Sequence, residues 1–202
     1  NKDDVPEKSS PTIAYRFLCA RESISCFNDE TAIVTDVHGA YLHAKQPREE
    51  KPIFMALSRK VSDVAVEIWP EFASMRDEKG RLVGKVEYAI YGTLAAGLYW
   101  WRTLSGALKE IGYKSNQWEQ CLMTRTAGEK KVSVANWVDD QRWHSKWIAM
   151  ILADIEFLNG KFGKEKRLKV QQSPVTEYLG LIWNRSVKGE CLITGPKHID
   201  EM

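Results

Sequence analysis

Three aspartates are the residues whose type and position in this sequence point most directly to chemistry. Asp36 ends the β-branched run TAIVTD, and the pair Asp139 and Asp140 follows a second β-rich run, KVSVANWV. Carboxylates at the ends of neighbouring strands can converge on two divalent ions about 3.5–4 Å apart. One ion of such a pair activates an attacking hydroxyl, and the other stabilises a leaving phosphate. Magnesium prefers such oxygen ligands. The sequence therefore predicts a phosphoryl-transfer site at these aspartates, with a solvated Asp-Asp turn as the alternative.

The aspartates meet only if the strands that carry them are neighbours in one sheet. The run TAIVTDV predicts a strand that ends at Asp36, and residues 120–126 and 131–138 predict a hairpin that ends at Asp139 and Asp140. A second hairpin is predicted from residues 177–186 and 189–194, and further strands from IFMAL and RLVGKVEYAI. Adjacent antiparallel strands would bring the three carboxylates together.

Helices are predicted between these strands. Ser10 as N-cap and Pro11 at the first helical position begin a helix that ends near Asn28. Apolar residues at intervals of three and four predict a helix over residues 92–111, with Gly112 as its stop. Residues 145–158 predict another, and residues 61–75 one that bends near Pro70. Because no regular βαβ period is present, the predicted fold class is α+β, with an antiparallel sheet packed on helices.

The helical and strand patterns also predict which side chains are buried. Trp100 and Trp137 are expected in the core, whereas Trp143 and Trp147 are expected to be exposed. The first helix is expected to bury an apolar stripe made of Ile13, Phe17, Ala20, Ile24 and Phe27.

Length and composition suit one globular domain. The chain has 202 residues, of which 44% are hydrophobic and 28% charged, so we expect a flexible lead-in over residues 1–9 and one domain over residues 10–202. The net charge of +2 is too balanced to indicate nucleic-acid binding by itself. A local basic run could follow a phosphate backbone or be a solvated loop, and its members are Lys161, Lys164, Lys166, Arg167 and Lys169.

Other classes of protein lack their usual signatures here. The four cysteines form no CxxC pair, which favours reduced thiols, and no signal peptide or membrane span is present, so an intracellular protein with no membrane partner is expected. The histidines do not have zinc-site spacing. The GxSxG elbow of hydrolases and the Walker and Rossmann glycine patterns are also missing.

Several blocks around the aspartates follow a familiar order. SSPT, TDVHGAYLHAK and IFM come first; YGTLAAGLYWW and LKEIGYKSNQWEQCLM follow; and WVDD precedes EYLGLIW and KGECLITGPKHIDEM. This order resembles the palm region of the copia-type (Pseudoviridae) retrotransposon reverse transcriptases over residues 9–202. The matching residues of the first and middle blocks are Asp36, Val37, Ala40, Tyr41, Tyr91, Gly92, Ala96 and Trp100, and WVDD stands where the family has Tyr-Val-Asp-Asp.

The resemblance implies an RNA-directed DNA polymerase. Asp36, Asp139 and Asp140 would hold Mg²⁺, with Mn²⁺ as a substitute. Tyr41 would lie under the sugar of the incoming deoxynucleoside triphosphate and exclude a 2′ hydroxyl, with Val37 and Gly92 as further substrate-binding residues. The implied partners are an RNA or DNA template with its primer, and the remaining polyprotein domains or a second chain.

The sequence departs from the family pattern at several polar positions. The family's Lys, Gln, Pro and Arg fall on Leu94, Ala95, Gly97 and Leu98, and the apolar strand that usually follows the catalytic turn is replaced by QRWHSKW. We also expect incomplete fingers and no thumb. The alternative is therefore a degenerate, domesticated relative that acts as a nucleic-acid-binding or protein-binding scaffold.

Overall fold

The computed structural model describes residues 10–47, 52–93 and 95–195. The predicted lead-in over residues 1–9 lies outside these ranges. So does Leu94, one of the positions at which the sequence differs from the family pattern. Helices α1 to α4 span Tyr15–Phe27, Arg59–Ile68, Ala96–Glu110 and Ile148–Phe162. Strands β1 to β11 span Thr31–Asp36, Phe54–Ala56, Val83–Lys85, Lys114–Ser115, Leu122–Ala127, Lys130–Trp137, Asp140–Ser145, Lys169–Gln171, Val175–Tyr178, Leu181–Asn184 and Leu192–Thr194.

Within the described residues, the main sheet has six antiparallel strands in the order β4-β5-β6-β7-β1-β8. Alternate side chains of a strand point to opposite faces. Ile33, Val134 and Trp143 lie in the core that α3 and α4 share with the sheet, whereas Val34 and Ala135 lie in the core with α1 and with the smaller sheet β11-β10-β9. The α+β class with an antiparallel sheet packed on helices is confirmed.

Helix α1 differs from the prediction in its start and in its buried face. Ser10 is not an N-cap, because its hydroxyl donates to the carbonyl of Pro11 and the helix begins at Tyr15 without a side-chain cap. Ile24 and Phe27 of the predicted stripe are exposed. The face that is buried is largely polar and contains Leu18, Arg21, Glu22, Ser25 and Cys26. Charged residues occupy this face because their partners lie on the main sheet.

Arg21 bonds to Ser133 on β6 and to Glu30, whereas Glu22 bonds to Arg142 and His144 on β7, the strand that begins at Asp140. Its polar sequence DQRWHS is buried from Gln141 to Ser145, and each of these side chains forms a hydrogen bond. The polarity that separates this segment from the copia pattern thus serves a buried network. It also explains why the prediction that Trp143 is exposed was wrong, since this side chain is fully buried.

Other boundaries move by a few residues or more. Helix α3 starts at Ala96 and is followed by Gly112 at φ +94°, as expected of a helix stop, whereas the strand predicted over RLVGKVEYAI is reduced to Val83–Lys85. Helix α2 ends before Pro70, where a 3₁₀ helix begins, as the bend prediction implies. In the described part of the chain, no helix has the length and apolar character needed to cross a bilayer.

Candidate active site

Strand register brings the three aspartates to one end of the main sheet. Asp36, the last residue of β1, lies opposite Asp140, the first residue of β7, and Asp140 also pairs with Trp137 at the end of β6. Asp139 lies in the turn between β6 and β7, and its carbonyl accepts a hydrogen bond of 2.9 Å from the backbone N–H of Val37. Residues separated by about half of the chain therefore become neighbours through antiparallel pairing.

The turn that carries Asp139 has an unusual backbone. Val138 has a φ of +51°, a left-handed conformation that is strained for a β-branched residue and costs about 1–3 kcal/mol. The indole of Trp100 on α3 donates a hydrogen bond of 2.6 Å to the Val138 carbonyl. Trp100 is itself fully buried, so the helix contributes a fixed donor that supports the strained turn.

The electrostatics show that the three carboxylates act on one another. Burial, together with the negative charges of Asp139 and Asp36, raises the pKa of Asp140 to about 6, although Lys169 opposes the shift. Burial and the charge of Asp36 likewise raise the pKa of Asp139. Lys169 lies on β8 directly opposite Asp36. The site therefore concentrates negative charge that one nearby lysine compensates only in part.

This repulsion predicts that Asp140→Asn stabilises the fold at neutral pH. The folded chain binds the Asp140 proton more tightly than the unfolded chain, whose Asp pKa is near 3.9, so the contribution is favourable at low pH and is lost as the pH rises through about 6. At pH 7.5 the substitution should add about 1–2 kcal/mol once solvent screening is allowed for.

Urea unfolding of the wild type and Asp140→Asn at pH 7.5 and pH 4 measures this gain. Glu129→Gln in the exposed β5–β6 turn provides a matched loss of charge away from the cluster and should leave the stability unchanged. A stability gain that persists at pH 4, or a loss at pH 7.5, would contradict the repulsion.

Two tyrosines lie beside the carboxylates. The rings of Tyr41 and Tyr91 have centroids 4.5 Å apart, and burial together with the charge of Asp139 raises the pKa of both phenols. Gly92 follows Tyr91 at φ +91°, a conformation that glycine adopts freely. The predicted substrate residues Tyr41, Val37 and Gly92 are thus at or next to the aspartate turn. The sequence analysis assigned no role to Tyr91. The Tyr91-Gly92 pair, which matches the middle block of the family, could have indicated its place beside the carboxylates.

The predicted basic run is exposed but does not form one patch. Arg167 pairs with Glu156 on α4, and Lys164 and Lys166 lie in the bend between α4 and β8. Lys169 lies next to the carboxylates because it belongs to β8, which pairs with β1. Strand β8 was not predicted from the sequence. Because Lys169 belongs to a basic run, the sequence pattern predicted contact with phosphate and not pairing with β1.

The chemistry of the aspartates suits a divalent cation. Within residues 10–47, 52–93 and 95–195, no group of three or more His, Cys, Asp or Glu side chains is arranged so that it could hold a metal ion. The donors near the turn are nevertheless all carboxylates, and a bound cation would remove the repulsion that raises the pKa values of Asp139 and Asp140. The main chain brings these donors to one end of the sheet without a preassembled ligand cluster.

Comparison with known proteins places this geometry in context. No curated protein matches the chain. Among solved structures, an apo telomerase from Candida tropicalis aligns with a TM-score of 0.48 and 11% identity over 92% of this chain and 41% of the telomerase. The RNA-dependent RNA polymerase of bacteriophage phi12 aligns with a TM-score of 0.42 and 12% identity over 87% of this chain and 30% of the polymerase.

A family model gives the decisive match. Residues 1–192 match the model described as reverse transcriptase (RNA-dependent DNA polymerase). This range contains Asp36, Asp139 and Asp140 and the strands that carry them. The chain belongs to the reverse transcriptase (RNA-dependent DNA polymerase) family.

Proposed function

We propose that this chain is the palm of an RNA-directed DNA polymerase of a copia-type retrotransposon, and that it transfers a deoxynucleotide to a primer 3′ hydroxyl. The observation that carries the proposal is the register of β1 and β7, which sets Asp36 opposite Asp140 and ties Val37 to the carbonyl of Asp139. Family membership supports the polymerase class. The order of blocks around WVDD supports the copia type.

In this proposal Asp36, Asp139 and Asp140 hold the divalent ions. When bound, two Mg²⁺ or Mn²⁺ ions would supply the positive charge that activates the primer hydroxyl and stabilises the leaving pyrophosphate. The protein contributes position and charge: the antiparallel ladder fixes Asp36 and Asp140, and the Val138–Asp139 turn directs the third carboxylate. Phosphoryl transfer depends mainly on such positioning and charge stabilisation.

The partners follow from the same proposal. The template is RNA or DNA with a primer, and the exposed Lys164 and Lys166 supply positive charge that favours a phosphate backbone, whereas the charge of Arg167 is paired with Glu156. The chain spans 41% and 30% of the two solved structures compared above. Remaining polyprotein domains or a second chain are proposed as further partners.

A second function, a reverse-transcriptase-like scaffold without activity, is favoured by the middle block. Ala95 is buried, and a Cβ added at Gly97 would lie 2.7 Å from Cβ of Ser10, so α3 has no space there for a larger side chain. The copia pattern has Gln and Pro at these two positions. A scaffold needs neither metal nor nucleotide, which separates it experimentally from a polymerase.

The sugar preference of primer extension tests the polymerase proposal. The wild type is expected to extend a primer on an RNA template with deoxynucleotides in Mg²⁺ and to reject ribonucleotides. Tyr41→Val should reduce this discrimination by about 10- to 200-fold, because the ring that blocks the 2′ hydroxyl is removed.

Tyr41→Phe is the matched control for this experiment. It keeps the ring and its tilted contact with the ring of Tyr91, so it should discriminate as the wild type does. Equal discrimination by the valine variant would contradict the role of Tyr41. A folded wild-type chain that extends no primer would favour the scaffold.

A further inference from the structure

A chain of buried hydrogen bonds runs beneath the carboxylate turn. The Trp143 indole donates to the Thr35 hydroxyl at 2.8 Å, this hydroxyl donates to Oε1 of Gln141 at 2.9 Å, and Nε2 of Gln141 donates to the Asp139 carbonyl at 2.7 Å. Thr35, Gln141 and Trp143 are all fully buried. The chain starts in the core beneath α3 and α4 and ends on the main chain of a proposed metal ligand.

The two ends of this chain fix the directions of its bonds. A backbone carbonyl can only accept, so the amide N–H of Gln141 faces Asp139 and its Oε1 faces Thr35. A Trp side chain can only donate, so the Thr35 hydroxyl accepts from Trp143 and gives its own hydrogen to Oε1 of Gln141. The Gln141 amide is thus held between the core and the aspartate turn.

The Asp139 carbonyl is held from two strands at once. It accepts from the Val37 N–H just beyond β1 and from Gln141 Nε2 on β7. Thr35 and Gln141 are directly opposite in the β1–β7 register, so the side-chain and main-chain contacts reinforce one another. Fixing this carbonyl fixes the peptide plane between Asp139 and Asp140 and therefore the origin of both carboxylates.

We propose that Gln141, oriented by Thr35 and Trp143, is a positioning residue that sets the catalytic aspartates through the Asp139 carbonyl. The inference rests on the proposed polymerase function and adds to it. It also assigns a purpose to the polar β7 of this chain, because an apolar residue at position 141 cannot donate to that carbonyl. Mutation of a residue that orients metal ligands through a hydrogen bond typically lowers activity by about 10- to 100-fold.

The test compares Gln141→Met with Ser145→Ala. Methionine keeps the length and volume of Gln141 but removes its donor. Ser145 is a matched control on the same strand, since it is fully buried and its hydroxyl bonds to the Lys131 carbonyl and the Trp147 N–H, away from Asp139. Each variant loses two side-chain hydrogen bonds, so a general loss of stability affects them alike.

The first readout is hydrogen exchange of the Val37 amide by NMR, which needs neither metal nor activity. Gln141→Met should exchange about tenfold faster at Val37 than Ser145→Ala, because the carbonyl that Val37 binds is released. Thr35→Val, which removes the hydroxyl that orients Gln141, should accelerate the same amide. Equal protection in Gln141→Met and Ser145→Ala would overturn the proposal whatever the activity.

The second readout is single-nucleotide primer extension. Gln141→Met should lower kcat by about 10- to 100-fold and leave KM for the deoxynucleotide unchanged, whereas Ser145→Ala should keep the wild-type kcat. An unchanged kcat with faster Val37 exchange would overturn the catalytic part of the inference. If the wild type itself extends nothing, the polymerase proposal fails, and the Val37 exchange alone decides whether Gln141 positions the turn.

Discussion

Replacement of Glu22 by methionine is expected to lower the free energy of unfolding by about 3–5 kcal/mol. Glu22 lies on the buried face of α1 and accepts two hydrogen bonds from Arg142, at 2.8 and 3.0 Å, across 120 residues of sequence. It also bonds to Nε2 of His144 at 2.8 Å and pairs with Arg185 at 3.4 Å. Its loss leaves the fully buried Arg142 without a counter-charge.

The position of Arg142 explains why the loss should be so large. Its guanidinium donates to the Thr176 hydroxyl on β9 at 3.0 Å and lies 4.7 Å from the centroid of the Trp183 ring on β10. The ion pair therefore joins α1, the main sheet and the smaller sheet. Because small domains are stable by only about 5–15 kcal/mol, the loss is a large fraction of that stability.

A double variant separates loss of pairing from loss of packing. Glu22→Met combined with Arg142→Met removes both charges, and most of the stability should return, because apolar side chains of similar volume replace buried ion pairs at little cost. The exposed pair of Glu156 and Arg167 gives the control: Glu156→Gln should unfold in urea as the wild type does. A small effect of Glu22→Met alone would contradict the structural role of the pair.

The same cluster makes the fold sensitive to acid. Burial lowers the pKa of His144 to about 4, and, although burial opposes it, hydrogen bonds and charge from His144 and Arg142 hold the pKa of Glu22 well below its usual range. Between about pH 6.5 and 4, His144 binds a proton in the unfolded chain but not in the folded chain. The free energy of unfolding therefore falls as the pH falls through this range. Protonation of the unfolded Glu22 continues this loss below pH 4.5.

The parts of the fold that follow local patterns were predictable from sequence. Short β-branched or β-rich runs identified β1, β5 and β6, and helical spacing with Gly112 identified α3. The two strand-end aspartate positions followed from those runs. Their convergence then depends only on antiparallel pairing of β1 with β7.

The buried polar contacts were not predictable by the same means. Glu22 and Arg142 each look solvent-exposed in a local pattern, and only their partner 120 residues away makes burial favourable. Strand β7 was not recognised as a buried strand because its sequence is polar and its hydrogen-bond partners are remote in sequence. Lys169 was hidden in a basic run because its neighbour, Asp36, is remote in sequence and adjacent only through β8.

We propose that Asp36, Asp139 and Asp140 form a catalytic metal site, and primer extension tests this proposal most directly. Single-turnover extension on an RNA template with deoxynucleotides and Mg²⁺ would compare the wild type, Asp139→Asn/Asp140→Asn and Glu129→Gln. Because Asp140→Asn should stabilise the fold, unfolding would not explain a loss of extension in the double variant.

The double variant is expected to extend at least about a thousandfold more slowly, since several kcal/mol of charge stabilisation are lost and each 1.36 kcal/mol is tenfold in rate. Glu129→Gln should extend at the wild-type rate. Equal rates for the wild type and the double variant, or no extension by a folded wild-type chain that binds the primer and template, would contradict the proposal.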